Sequence, residues 1–223
     1  MDNQHGNIQE LYDTAYSFGL ILGDGSLAYY AARNVHTLKI EMLDAECLSR
    51  VAEQIKNLFG NKYVGGCITN REGRQRTWIL YVSGKEVWDF FAGPTEFKQI
   101  IPQIFFSAPS EVQKELIAGL MDSDGCCEEF KQGNSWKYKI VFSNNKLEIV
   151  KGLASLWRLN GCSVGELKTS IEYTGKPQYR LSPNIYDFAR NCYFRCERKQ
   201  ERVERFKKLR CASETLYTTP TSG

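Results

Sequence analysis

Histidine is the scarcest reactive group in this 223-residue chain, with only His5 and His36 present, so a zinc site of the His/Cys type has little support. The eight cysteines, at 47, 67, 126, 127, 162, 192, 196 and 211, form no CxxC pair and no repeating spacing. In a chain long enough to bury a core they read as free thiols and not as a disulfide framework. No apolar run follows a basic leader and none approaches the length of a membrane span, so the expected setting is intracellular, away from membranes. An excess of one charge is also lacking: 29 Lys and Arg against 26 Asp and Glu leave a net +3. That balance excludes a histone-like or tail-driven nucleic-acid binder, although the C-terminal half is the more basic and a local basic surface stays open. What remains is ordinary globular material, 42% apolar and 25% charged, enough for one domain or two small ones.

The pattern along the chain repeats. Asn7 and Glu10 are spaced as a capping box before a helix over Tyr12–Asp24, which Gly25 stops. Strand-like stretches follow at Ser26–Tyr30 and Thr37–Met42. Asp44 is placed to N-cap a helix to Phe59 that carries Leu48, Val51, Ile55 and Leu58 on one face. Strands are predicted at Tyr63–Thr69 and Thr77–Val82 around a polar turn at 70–74, and then a short helix over Lys85–Phe91. Residues 93–109, with Pro94, Pro102 and Pro109, read as a connector.

The order then restarts. Ser110 and Gln113 are spaced as a capping box for a helix to Asp124, followed by strands at Cys126–Phe130 and Trp136–Ser143. A helix capped by Asn145 and Glu148 ends at Gly161. Strand-like segments at Val164–Thr169 and Pro177–Ser182 precede a helix over Ile185–Asn191 and a charged terminal helix. The prediction is an α/β (α+β) protein of duplicated αββαββα half-domains with pseudo-twofold symmetry. The halves span 8–92 and 110–200, with a connector at 93–109 and a C-terminal helix and flexible tail over 201–223.

Two segments carry the chemistry: Ser17-Phe18-Gly19-Leu20-Ile21-Leu22-Gly23-Asp24-Gly25 and Ile117-Ala118-Gly119-Leu120-Met121-Asp122-Ser123-Asp124-Gly125. They align without a gap, and small residues recur at Gly19/Gly23 and Gly119/Ser123. Glycine inside a helix costs about 1 kcal/mol relative to alanine. Close contact between two helix backbones is the compensation expected, and it would bring Asp24 and Asp124 together at the helix C-termini. A carboxylate is unfavourable against the negative end of a helix dipole, and a pair repel. A divalent cation answers both objections, and hard cations beside a phosphate are a standard arrangement for phosphodiester hydrolysis. A single Asp-Gly after a helix is usually a C-terminal turn; it is the in-register pair that argues for a metal site.

Both segments resemble the LAGLIDADG motif of a family of homing endonucleases, the second more closely, since the first has Leu22 at the earlier acidic position and Gly23 in place of alanine. The resemblance implies a monomeric two-motif member with motif helices at the inner interface and a saddle-shaped antiparallel sheet from each half facing the DNA major groove. It implies metal binding by Asp24 and Asp124, with Gly23 and Ser123 beside them, and cleavage of both strands to leave 3′ overhangs. Mg²⁺ is the expected ion, with Mn²⁺ able to substitute and Ca²⁺ binding without cleavage; no organic cofactor is expected. A basic pocket near the scissile phosphate falls on Lys98 in the first half. In the second half it falls among Arg195, Arg198 and Lys199, of which Lys199 is preferred. Intron homing would place the protein in the cytoplasm of a prokaryote or in an organelle.

The strands support a binding surface independently. Alternation sets Thr37, Lys39 and Glu41 against Leu38 and Ile40, and Lys137 and Lys139 against Tyr138 and Ile140. Gln178 and Arg180 share a face, and Arg71, Arg74, Arg76, Lys168 and Lys176 add charge at the turns and strand ends. Such a mixture suits the reading of base edges in double-stranded DNA, whereas the plainer reading is the solvated face of an antiparallel sheet. Two rivals remain. One is an RNA-splicing maturase or non-cleaving DNA-binding protein of the same fold; the other is a duplicated structural domain.

Overall fold

The computed structural model describes residues 8–69, 75–133, 135–171 and 175–217. Its first helical stretch is two helices, α1 (Ile8–Asp13) and α2 (Ala15–Asp24), where the sequence predicts one. They divide at Thr14, whose hydroxyl donates back to the Glu10 carbonyl at 2.7 Å and so competes with the helix ladder. From α2 the chain passes directly into β1 (Gly25–Tyr30), then β2 (Val35–Met42), α3 (Ala45–Phe59), β3 (Val64–Thr69), β4 (Thr77–Ser83) and α4 (Lys85–Ala92). The second round is α5 (Ser110–Asp124), β5 (Gly125–Gln132), β6 (Ser135–Asn144), α6 (Leu147–Leu159), β7 (Lys168–Ile171), β8 (Pro177–Leu181) and α7 (Ile185–Asn191). A long charged helix, α8 (Glu197–Tyr217), ends the described chain.

Each round builds one antiparallel sheet of four strands, ordered β1-β2-β4-β3 and β5-β6-β8-β7, so the two sheets share one topology. The register sets what each face presents. Ser26, Lys39 and Tyr81 lie across from one another on the first sheet, while Leu38 and Ile40 point into the core. On the second, Glu128 pairs with Lys139, and Lys168 pairs with Arg180, which in turn pairs with Ser143. The helices cover the opposite faces. Val51 and Ile55 of α3, and Val150, Leu153 and Trp157 of α6, are all buried in one continuous apolar cluster with the strands.

At the centre of that cluster α2 crosses α5. Every residue of α2 from Ala15 to Leu22 is buried, as is every residue of α5 from Leu116 to Asp122, so both helices are enclosed on all sides. Their contact is backbone to backbone. A Cβ added to Gly19 would lie 2.2 Å from the Leu116 carbonyl oxygen, and one on Gly119 would lie 2.2 Å from that of Tyr16. One turn later a Cβ on Gly23 would meet Ser123 Oγ at 1.9 Å. Gly25 and Gly125 follow without a left-handed residue, φ being −69° and −96°. They are small for another reason: a Cβ there would strike the Ile21 or Met121 carbonyl at 2.6 or 2.7 Å.

Three predicted caps are corrected, and the side chains of Ser110, Gln113 and Asp44 are used elsewhere. Ser110 and Gln113 form no capping box; Pro109 holds the N-cap position of α5, and both side chains bond to Asn160, at 2.8 Å each. Lys146, not Asn145, precedes α6, and its amide donates to Asn144 Oδ1 at 2.7 Å. Asp44 does occupy the N-cap position of α3, but its carboxylate makes no cap bond and accepts from Arg198 instead. The predicted strand at Val164–Thr169 begins later, at Lys168, leaving Val164 in a single bridge to Pro183. Asn7 and the turn at 70–74, including Arg71 and Arg74, lie outside the described residues.

The crossing yields a stability prediction. Gly19→Ala should cost about 3 kcal/mol or more, because the methyl group meets a backbone oxygen that cannot rotate away. Gly65→Ala, where a Cβ would have nothing within 4 Å, should be neutral or mildly stabilising. Urea melts of the two variants measure the contrast, and equal stabilities would remove the case for a sterically required crossing.

Candidate functional site

Asp24 and Asp124 close the two crossing helices, and the contact at Gly23 binds them into one site: a Cβ there would lie 3.1 Å from Asp124 Oδ2. Asp24 keeps an exposed edge, whereas Asp124 is half-buried. Burial raises both carboxyls above the ordinary range. Asp124 is pushed from 3.8 up to about 6 by burial first and by the charge of Asp24 second, against a lowering hydrogen bond from Asn144. The Asn144 amide donates to Asp124 Oδ2 at 2.6 Å. Met42 ends β2 at the register position that Asn144 holds in β6, and its side chain offers no such donor, so the two carboxylates are not held alike.

Two lysines reach the same helix ends from opposite halves. Lys98 Nζ donates to the Gly23 carbonyl at 2.9 Å and also to that of Gly25. Lys199, only 8% exposed, donates to the carbonyls of Met121, Asp122, Ser123 and Gly125 at 3.0, 2.6, 3.3 and 2.7 Å. An ammonium at a helix C-terminus satisfies its orphan carbonyls and opposes the dipole. Both lysines also lower the Asp24 and Asp124 carboxyls, though less than burial raises them. The Lys98 ammonium is itself lowered by burial, against the two aspartates.

Backbone strain puts Lys98 in place. Glu96, Phe97 and Lys98 have φ of 47°, 55° and 70°, three successive non-glycine residues in the left-handed region, each costing roughly 1 kcal/mol. Buried Thr95 anchors this turn: its hydroxyl donates to the Phe91 carbonyl at 2.7 Å and accepts from the Lys98 amide at 3.2 Å. The second half reaches the equivalent point from the start of α8. There Arg195 pairs with Glu115 and Arg198 with Asp44, leaving Lys199 as the residue that reaches the motif helix.

These donors suit a hard divalent cation: two carboxylate side chains meet where helix ends and like charge disfavour both, with water access at Asp24. The carbonyls of Gly23 and Ser123 lie beside them, each already accepting from a lysine. Asp122 plays a different part. It is 1% exposed, and its Oδ2 accepts from Tyr16 Oη at 2.9 Å and from the amides of Arg195 and Cys196 at 3.1 and 3.0 Å.

The predicted contact residues separate into those the sheets bring together and those they do not. Lys39 and Glu41 share one face of the first sheet and form an ion pair at 2.9 Å. Lys137, Lys139, Lys168, Gln178 and Arg180 share one face of the second by register, where Arg180 also pairs with Glu128. Lys176 is exposed just before β8. Arg76 is not brought to the Lys39 face. Its guanidinium lies 5.8 Å from the ring of Trp78, which pairs with Met42 and so has the parity of the helix-covered side. Sequence reading gave no role to Asn144, whose register counterpart at the end of β2 is the apolar Met42, so the repeat offered no signal for it.

A family model described as LAGLIDADG-like domain matches residues 111–207. Among solved structures, an I-DmoI variant in complex with its target DNA and Mn is similar with a TM-score of 0.57 at 16% identity, covering 82% of this chain and 94% of that one. The homing endonuclease I-WcaI bound to its DNA recognition sequence gives 0.56 at 15%, covering 85% and 83%. The LAGLIDADG homing endonuclease I-GzeII in complex with a DNA target gives 0.53 at 12%, covering 92% of each. At these identities the likeness is one of fold. A curated relative, the ribonucleoside-diphosphate reductase NrdEB subunit alpha of Bacillus subtilis (strain 168), is 27% identical over 135 residues. That match takes in 56% of this chain and 12% of the relative's length. Among the described residues, no helix is long and apolar enough to cross a membrane.

The site makes a pH prediction. The folded protein holds the Asp124 proton to a higher pH than the unfolded chain does. Between 3.8 and about 6 the native state therefore binds more protons, and stability falls as pH rises through that window. Asp124→Asn removes the charge and keeps the shape. It should melt higher than the parent at pH 8, by roughly 1–2 kcal/mol of stability, with the difference shrinking as pH falls toward 4. Melting curves across that range test it, and a parent more stable than the variant at pH 8 would refute the assignment.

Proposed function

Because residues 111–207 match a LAGLIDADG-like domain and solved homing endonucleases share the fold over 82–92% of the chain, we propose that this protein is a site-specific DNA endonuclease. The observation that carries the reading is the convergence of Asp24, Asp124, Lys98 and Lys199 at one helix crossing flanked by two sheets. The protein acts as a monomer on a long, asymmetric duplex and hydrolyses one phosphodiester in each strand, leaving 3′ overhangs. I-DmoI has been solved with DNA and Ca, with DNA and Mn, and with its target DNA in the presence of Mg, which supports divalent-metal use here.

In this reading Asp24 and Asp124 hold the cations, completed by the carbonyls of Gly23 and Ser123. Mg²⁺, or Mn²⁺ in its place, supplies a water of lowered pKa and neutralises phosphate charge, while Ca²⁺ binds without supporting cleavage. Lys98 and Lys199, fixed at the helix ends, place positive charge where the scissile phosphates become more negative. Asn144 holds the Asp124 carboxylate in one orientation. No covalent nucleophile and no organic cofactor is required.

Sequence is read by the sheet faces. Lys39, Glu41, Lys137, Lys139, Lys168, Lys176, Gln178 and Arg180 contact base edges and phosphates, with Arg71, Arg74 and Arg76 at the adjoining turn. Many polar contacts spread over two sheets give specificity without a large net charge, in agreement with the +3 total. The reductase relative lends no activity to this chain, because so small a part of it is matched.

A Mg²⁺-dependent cleavage selection on a randomised plasmid library tests the function. Recovery of one preferred site with 3′ overhangs is expected; binding without cutting would favour a non-cleaving binder or a maturase. On the selected site, Asp24→Asn and Asp124→Asn should each lower double-strand cleavage at least about a hundredfold. Mobility shifts should show their binding retained. Lys39→Ala should weaken binding by about 1–3 kcal/mol. Full cleavage by either Asn variant would rule out the two-carboxylate mechanism.

A further inference from the structure

A second cluster of metal-binding side chains lies at the seam between the halves, on residues other than Asp24 and Asp124. Glu46 and Cys47 begin α3 of the first half, and Cys196 ends the loop before α8 of the second. A carboxylate oxygen of Glu46 and the two Sγ atoms all lie within 4.8 Å of one another. Cys47 is 1% exposed and Cys196 is fully buried, whereas Glu46 is exposed. Asp122 adjoins them: the Cys47 thiol donates to its Oδ2 at 3.9 Å. Its other oxygen, Oδ1, is buried with no hydrogen-bond partner among the described residues. An unsatisfied carboxylate oxygen in the core is costly, and here it sits on a side chain already touching a thiol.

We propose that Glu46, Cys47 and Cys196, with Asp122 as the adjoining fourth donor, form a Zn²⁺ site that ties the first half to the second. The donor set selects the ion. Two sulfurs and a carboxylate suit a tetrahedral, borderline-soft d¹⁰ cation, whereas the oxygen donors at Asp24 and Asp124 suit Mg²⁺. Zinc bonds of about 2.3 Å to sulfur and about 2.0 Å to oxygen put tetrahedral donors about 3.5–3.8 Å apart. The cluster is within about an ångström of that spacing. Binding releases the two thiol protons to water and changes no oxidation state. The exposed Glu46 gives the ion its way in.

The site bears on the reaction through position. Cys196 precedes Lys199 by one helical turn, and the Lys199 amide donates to the Cys196 carbonyl at 3.1 Å. A zinc ion on Cys196 therefore fixes the segment that delivers Lys199 to the α5 terminus. The Arg198–Asp44 ion pair crosses the same seam, 2.9 Å at its closer contact. Sequence spacing hid this cluster because its two cysteines come from different halves and no histidine marks them.

The test uses the full chain, purified under reducing conditions, stripped with a chelator and titrated with Co²⁺ as the probe. One equivalent should give the near-ultraviolet thiolate-to-cobalt absorption with tetrahedral visible bands, lost on adding Zn²⁺. Zn²⁺ should raise the melting temperature of the stripped chain. Cys47→Ala and Cys196→Ala should each abolish the thiolate band. Cys67→Ala and the Asp24→Asn/Asp124→Asn double variant should keep it, which separates this site from the proposed catalytic one. Glu46→Gln, on the exposed rim where misfolding is not at issue, should weaken Zn²⁺ binding roughly tenfold or more. Absence of the band in the native chain overturns the proposal, as does its survival in both cysteine variants. So does recovery of Cys47 and Cys196 as a reducible disulfide that takes up no metal after reduction.

Discussion

The approach of two helix backbones at Gly19 and Gly119 sets the geometry of the whole molecule. Each glycine gives up about 1 kcal/mol of helix propensity and leaves no side chain to pack. The return is an α2–α5 contact that only a missing Cβ permits, enclosed on every side by apolar residues of both halves. Because the crossing lies at the second-last turn of each helix, the helix ends emerge together, and so do Asp24 and Asp124. Shifting either helix by one residue would point its aspartate elsewhere. The sheets are tied to the same point, since β1 and β5 begin at Gly25 and Gly125, the residues that directly follow those aspartates.

The crossing also creates an electrostatic problem that the surrounding residues reduce without removing. Two carboxylates at helix C-termini, both raised by burial, are a liability in the metal-free protein. Lys98 and Lys199 satisfy the helix carbonyls from opposite halves, one through a strained left-handed turn and one from the first turn of α8. Asn144 steadies Asp124 alone. The two ends therefore have a common plan with unequal supports, as befits a protein proposed to act on an asymmetric duplex.

Most of this plan was legible in the sequence, because a repeat whose motif segments align without a gap reads the same structure twice. The helix and strand order, the glycine contact and the paired aspartates all follow from residues whose spacing is local. Lys98 and Lys199 rested on family resemblance; the structure adds the carbonyls they bind. The predicted capping bonds were less legible. Ser110, Gln113 and Asp44 have the chemistry of helix starts, yet each is drawn into a bond with a distant segment, which local spacing does not encode. Asp122 shows the same limit: one residue of the motif, it is a buried acceptor for Tyr16 and for two amides some seventy residues further on. Arg76 was misplaced by pooling it with the charged turn: it has the parity of Trp78, so alternation along β4 itself puts it on the helix-covered side.

The central claim is that the crossing makes one divalent-metal site out of two residues a hundred positions apart. Mn²⁺ titration of the free full-length protein at pH 8, followed by electron paramagnetic resonance, reads that claim without any DNA target. The unaltered chain should sequester Mn²⁺, and Asp24→Asn combined with Asp124→Asn should leave the ion in solution while the protein stays folded. Equal Mn²⁺ uptake by the double variant would contradict the account.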